Sequence, residues 1–67
     1  MKFFLKDDFI TLQQLLKVCD VIDSGGQAKA WLAQNPVLVN SEPETRRGRK
    51  LYPHDVVETE EIRIEIE

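Results

Sequence analysis

The sequence predicts an α+β domain in which two packed helices lie on a small, mainly antiparallel sheet. Three observations carry that expectation. Thr11 with Gln14, and Ser24 with Gln27, each set a hydroxyl three residues ahead of a side-chain amide, the capping-box pattern that satisfies helix-start N–H groups reciprocally. Behind each box the apolar residues recur at helical spacing: Leu12, Leu15, Leu16 and Cys19, then Ala28, Trp31 and Leu32. Ile62, Ile64 and Ile66 alternate with Glu61, Arg63, Glu65 and Glu67, the period of a strand with one dry face and one charged face.

Lys2 to Lys6 reads as a short strand with Phe3 and Leu5 on one face, and Asp7-Asp8 as a turn. Ile10 stands just before the first N-cap, placed to staple onto Leu15, while Gln13, Gln14 and Lys17 face solvent or a partner. Val21, Ile22 and Asp23 form too short a connection for a lid, so the helices must be close neighbours. Pro36 ends the second helix, with Asn35 suited to a left-handed exit. Val37 and Val39 then alternate with Leu38 and Asn40 as a half-buried strand. Ser41 to Glu44 has turn composition, and Thr45 to Leu51 would return the chain beside that strand. Tyr52 to Asp55 reads as the next turn, and Val56 to Glu58 resumes a strand. Strands near Phe3, Val37, Leu51, Val57 and Ile64 would build the sheet.

A chain of 67 residues makes one domain, 1–67. At this size stability is about 3–10 kcal/mol, so losing a large core side chain such as Trp31 would unfold much of the population. Its 42% hydrophobic and 31% charged residues are ordinary for a soluble domain. One cysteine, Cys19, one histidine and no CxxC leave no internal disulfide and no zinc framework. The apolar run Phe3-Phe4-Leu5 stops at Lys6, far short of a signal peptide, and no segment approaches a membrane span. A cytoplasmic chain without metal, cofactor or membrane partner is expected. So is the absence of an enzyme activity: His54 lies in a turn with no serine or cysteine near it in sequence to activate.

The net charge of -3 hides an uneven distribution. Arg46, Arg47, Arg49 and Lys50 fall within five residues, whereas Asp55, Glu58, Glu60, Glu61, Glu65 and Glu67 gather in the last thirteen. The acidic tail reads as a solvated strand face that discourages edge pairing. The basic run reads plainly as an exposed loop, but crowded cations repel one another and fit best where an anion offsets them. Arginine offers bidentate donors to phosphate, and Gly48 permits close backbone approach. Gly25, Gly26 and Lys29 sit at the opening of the second helix, where free N–H groups and the positive dipole end make a phosphate seat. The register of Trp31 with Ala28 and Leu32 assigns its indole to the core rather than to base stacking.

Thr11 to Leu16, Ser24-Gly25-Gly26-Gln27-Ala28-Lys29, Val37 to Glu42 and Asp55-Val56-Val57 together resemble the small RNA-binding module named after ribosomal protein S-four. Ser-Gly-Gly before the second helix and Arg-Arg-Gly-Arg-Lys-Leu after the hairpin are similar to its stand-alone YaaA-like subgroup. The resemblance covers 10–58 as the αL motif core, leaving 1–9 and 59–67 as flanking strands. It implies a protein that binds structured RNA, ribosomal RNA or a ribosomal particle above all, with ribosomal proteins as further contacts. Ser24, Gln27 and Lys29 carry over as RNA contacts by position, and Arg46, Arg47, Arg49 and Lys50 from the subgroup's basic run; with Thr11, Lys17, Gly25 and Gly26 they make up the expected RNA-binding set. Ala28, Leu32, Val37 and Val39 carry over as core. Three positions depart from the family pattern: Gly25 stands where many members have arginine, Ser41 where the hairpin usually has glycine, and His54 where a glycine usually precedes the aspartate. Arg46 to Lys50 would replace the charge lost at Gly25, and His54 would have to adopt a left-handed conformation.

Contact with about four to six phosphates would make log affinity fall with log salt by about 0.7–0.9 per phosphate. The alternative is a protein-interaction module whose basic run docks on an acidic surface and whose isoleucine strand extends a partner's sheet.

Overall fold

In the computed structural model, which describes residues 1–67, the elements run β1 (Lys2–Phe3), β2 (Ile10–Thr11), α1 (Leu12–Val18), a 3-10 turn (Gly25–Gln27), α2 (Ala28–Gln34), β3 (Leu38–Val39), β4 (Glu42–Pro43), β5 (Lys50–Leu51), β6 (Val56–Glu58) and β7 (Arg63–Ile66). Five strands form one sheet in the order β1-β7-β6-β3-β4. Every pairing in it is antiparallel except β1 with β7. The fold class matches the sequence expectation, but the strand at Leu51 does not join this sheet. It pairs instead with Ile10–Thr11 in a separate two-stranded ladder, Ile10 opposite Leu51 and Thr11 opposite Lys50.

The first capping box forms as expected: Gln14 N–H donates to Thr11 Oγ1 at 3.2 Å, and Thr11 N–H to Gln14 Oε1 at 3.0 Å. Leu12, Leu15 and Leu16 are fully buried, whereas Cys19 is half-buried at the C-cap. Burial, with Asp20 beside it, pushes the Cys19 thiol up from its ordinary value. The helix closes on a Schellman motif, with Val21 N–H donating to the Leu16 carbonyl and Asp20 N–H to that of Lys17, and Asp20 taking φ 60°. That reversal sets the second helix beside the first.

Ala28 and Leu32 face the core, while Trp31 is half-buried against it. Asn35 leaves α2 extended, at φ -126° and ψ 122°, not left-handed. The residue before a proline is driven out of the helical and into the extended region, and Pro36 sets that limit here. Ser41 to Glu44 likewise differs from the expected turn: the turn is Asn40-Ser41, and Glu42–Pro43 pairs with Leu38–Val39. Both central residues have positive φ, 51° and 70°, the type I′ geometry that matches strand twist. His54 does adopt the left-handed position, φ 80°, after Pro53 in a turn closed by Asp55 N–H donating to the Tyr52 carbonyl.

Thirteen buried apolar residues form the core between helices and sheet, among them Leu51, Val57, Ile64 and Ile66. The isoleucine strand is internal: β7 lies between β1 and β6, and Ile64 is 0% exposed. It therefore presents no edge for a partner's strand. No helix is long and apolar enough to cross a membrane.

Candidate nucleic-acid interface

The basic run is a compact loop built on one carboxylate. Glu44 is the single buried charged residue, 7% exposed, and it accepts from Thr45 N–H, Arg46 N–H, Arg46 Nε, Arg46 Nη2 and Arg49 Nη1 at 2.8–3.0 Å. The Arg46 side chain holds the Glu44 carboxyl far below the usual carboxylate range; burial opposes this, and Arg49 and backbone N–H groups add to it. The same contact raises the Arg46 guanidinium. The anion that offsets the crowded arginines is thus in part internal, the Glu44 carboxylate.

Arg46 and Arg49 nonetheless differ. The Arg46 side chain remains 72% exposed and that of Arg49 33%, so both can still reach an anion while Glu44 fixes their direction. Arg47 and Lys50 are in no ion pair. Arg49 N–H closes the turn on the Arg46 carbonyl, and Arg46, Gly48, Arg49 and Lys50 line a shallow concavity. Nothing lies within 4 Å of where a Cβ on Gly48 would sit, so its backbone faces open space.

This loop docks on the start of α1. The N–H of Leu12 donates to the Arg49 carbonyl at 2.8 Å and that of Gln13 to the Arg47 carbonyl at 2.9 Å. Gln13 is also the neighbour of Gly25, where an added Cβ would fall 2.6 Å from Gln13 Nε2. The first turn of α1 is therefore the junction that brings the basic loop and the opening of the second helix together. Nothing in the order of the sequence reveals that junction, because it depends on the β2 to β5 pairing.

At the second helix the box takes a different form. Gln27 Oε1 accepts from both Asp23 N–H, 2.7 Å, and Ser24 N–H, 3.2 Å, while Gln27 N–H closes a 3-10 turn on the Ser24 carbonyl. No partner in the chain takes the N–H of Gly25 or Gly26. Ser24, Gly26, Gln27 and Lys29 are exposed, and Gly25 is half-buried. Thr11 is held by its capping role beside the basic loop. Lys17 stands apart, on the rim of an apolar groove lined by Phe3, Phe4, Phe9 and Val18.

Sequence reasoning missed two aromatics. Phe9 and Tyr52 extend the β2 to β5 ladder by one position, and their ring centroids lie 6.2 Å apart at 51°. Lys50 Nζ sits 4.8 Å above the Phe9 ring. The alternation Phe9-Ile10-Thr11 against Lys50-Leu51-Tyr52 was the available signal.

The S4 domain family model matches residues 3–67 of this small α+β chain. The chain belongs to the S4 domain family. Among its relatives, a protein of Bacillus subtilis (strain 168) described as probable ribosome maturation protein RlbA is 62% identical over 53 residues, 79% of this chain and 75% of the relative.

Proposed function

We propose that this protein binds structured RNA, ribosomal RNA or a ribosomal particle, and serves ribosome maturation without catalysing a reaction. The observation that carries the reading is the junction at Gln13, where a carboxylate-braced loop of cations and a helix opening with two unpartnered N–H groups share one turn of α1. Two phosphate-binding chemistries side by side suit an RNA backbone better than a single small anion. Membership of the S4 domain family and the likeness to a ribosome maturation protein support it. The protein would then act in the cytoplasm, with ribosomal proteins as neighbours of the bound RNA.

The bracing of Arg46 and Arg49 decides which variants test this. Changing them would disturb the loop itself, so the informative substitutions are Arg47→Ala, Lys50→Ala and Lys29→Ala. Fluorescence anisotropy with structured ribosomal RNA fragments over a salt series should show a steep salt dependence, and each substitution should reduce the log–log slope by about one phosphate's worth. No binding at low salt, or binding indifferent to salt, would sink the proposal.

A further inference from the structure

The outer face of the β2 to β5 ladder carries Phe9, Thr11, Lys50 and Tyr52, because Ile10 and Leu51 turn inward to the core. Phe9 is 38% exposed and Tyr52 48%. Two large rings held against each other at the surface lose part of the benefit of burial, so the chain's own packing does not explain both of them. Their neighbour is Lys50, whose ammonium lies over Phe9 and which pairs with Thr11 in the same ladder. An occupant has to offer a flat apolar face and negative charge within a few ångströms. A nucleotide has both: a base to lie against a ring and a phosphate to meet the cation.

We propose that Phe9 and Tyr52 form a stacking site for one unpaired base of the bound RNA, with a flanking phosphate on Lys50. The proposal rests on the RNA-binding reading and adds a preference to it: the protein selects paired RNA interrupted by a bulged or looped-out base. Stacking on an aromatic tolerates any base, so the preference is for an unpaired position rather than for a sequence.

The test uses the whole chain and two labelled probes, a blunt, fully paired RNA duplex and the same duplex carrying one bulged nucleotide. The wild-type protein should favour the bulged probe by about five- to 150-fold, the range of stacking on one aromatic. Phe9→Leu and Tyr52→Leu should lose that preference while keeping their affinity for the plain duplex, and Tyr52→Phe should retain it. Circular dichroism of each variant shows that the fold has survived. A wild-type protein that binds both probes equally, or leucine variants that keep the preference, overturns the stacking site and leaves the RNA reading intact. Failure to bind either probe at low salt overturns both readings. If the leucine variants keep their bulge affinity but lose binding to intact ribosomal particles, the pair belongs to a protein partner and the proposal falls.

Discussion

The chain contains two helix openings with the same capping pattern, a hydroxyl three residues before a glutamine, and they end up in opposite states. At α1, Thr11 and Gln14 cap each other and the carbonyls of Arg47 and Arg49 take the N–H groups of Gln13 and Leu12, so the opening is sealed. At the second helix, Gln27 reaches back to Asp23 and Ser24, and the N–H groups of Gly25 and Gly26 stay open. The same capping grammar thus yields one structural joint and one end whose N–H groups stay open. What separates them is tertiary: a loop braced by Glu44 brings carbonyl acceptors to the N–H groups of the first, and no acceptor reaches those of Gly25 and Gly26 at the second.

The largest way to break the contrast is to remove the brace. Glu44→Gln takes away the charge that orients Arg46 and Arg49 and leaves two guanidinium groups beside a neutral amide. We expect a loss of about 2–4 kcal/mol, seen as a fall of more than about 10 °C in Tm by calorimetry. Acid should act on the same group. The folded-state pKa of Glu44 lies below its ordinary 4.5, so its stabilisation is present in full above that pH and lost as pH falls toward the depressed folded value. Wild-type stability should therefore drop below about pH 4.5 more steeply than that of Glu44→Gln, as chemical denaturation across pH would show.

A smaller effect compares the caps themselves. Thr11→Ala removes one of several bonds at a sealed opening and should cost about 1 kcal/mol with little change in RNA affinity. Gln27→Ala leaves Asp23 and Ser24 N–H groups without their acceptor. Its stability loss should be similar, but RNA affinity should fall with it, because the open end loses its shape. Equal effects of the two variants on anisotropy would erase the distinction drawn between the openings.

The smallest expected change is Gly25→Ala. The contact it creates is with the far end of the Gln13 side chain, which can swing away, and Gly25 does not need positive φ. Stability should stay within about 0.5 kcal/mol, while the methyl group crowds the open N–H groups and weakens RNA binding. An unchanged affinity would remove those groups from the interface.

Both caps, the apolar stripes and the strand alternation were legible because each is set by residues three or four positions apart, or two. The left-handed turn at His54 was legible from the resemblance, in which a glycine usually precedes the aspartate. Glu44 was not: in Ser-Glu-Pro-Glu it has the composition of a turn, and only the pairing of Glu42–Pro43 with Leu38–Val39 turns it inward. Phe9 and Tyr52 were hidden for the same reason, since their meeting depends on a register between segments far apart in the chain. Features set by near neighbours in the sequence could be read in advance, and those set by juxtaposition could not.

The parallel pairing of Lys2–Phe3 with Glu65–Ile66 bears on the order of folding. It links residues at opposite ends of the chain, reinforced by Leu5 N–H to the Glu67 carbonyl and by the Lys2–Glu67 ion pair at 3.5 Å. Closing so long a loop carries the greatest entropic cost of any contact in the fold, so the hairpins and helices should be in place before β1 docks, and β1 should be first to leave. Amide exchange should find Leu5 and Glu67 opening at far lower free energy than Val57 and Ile64. The molecule would then have a loose clasp on a stable core, formed by a strand that takes no part in the junction of the basic loop with α1.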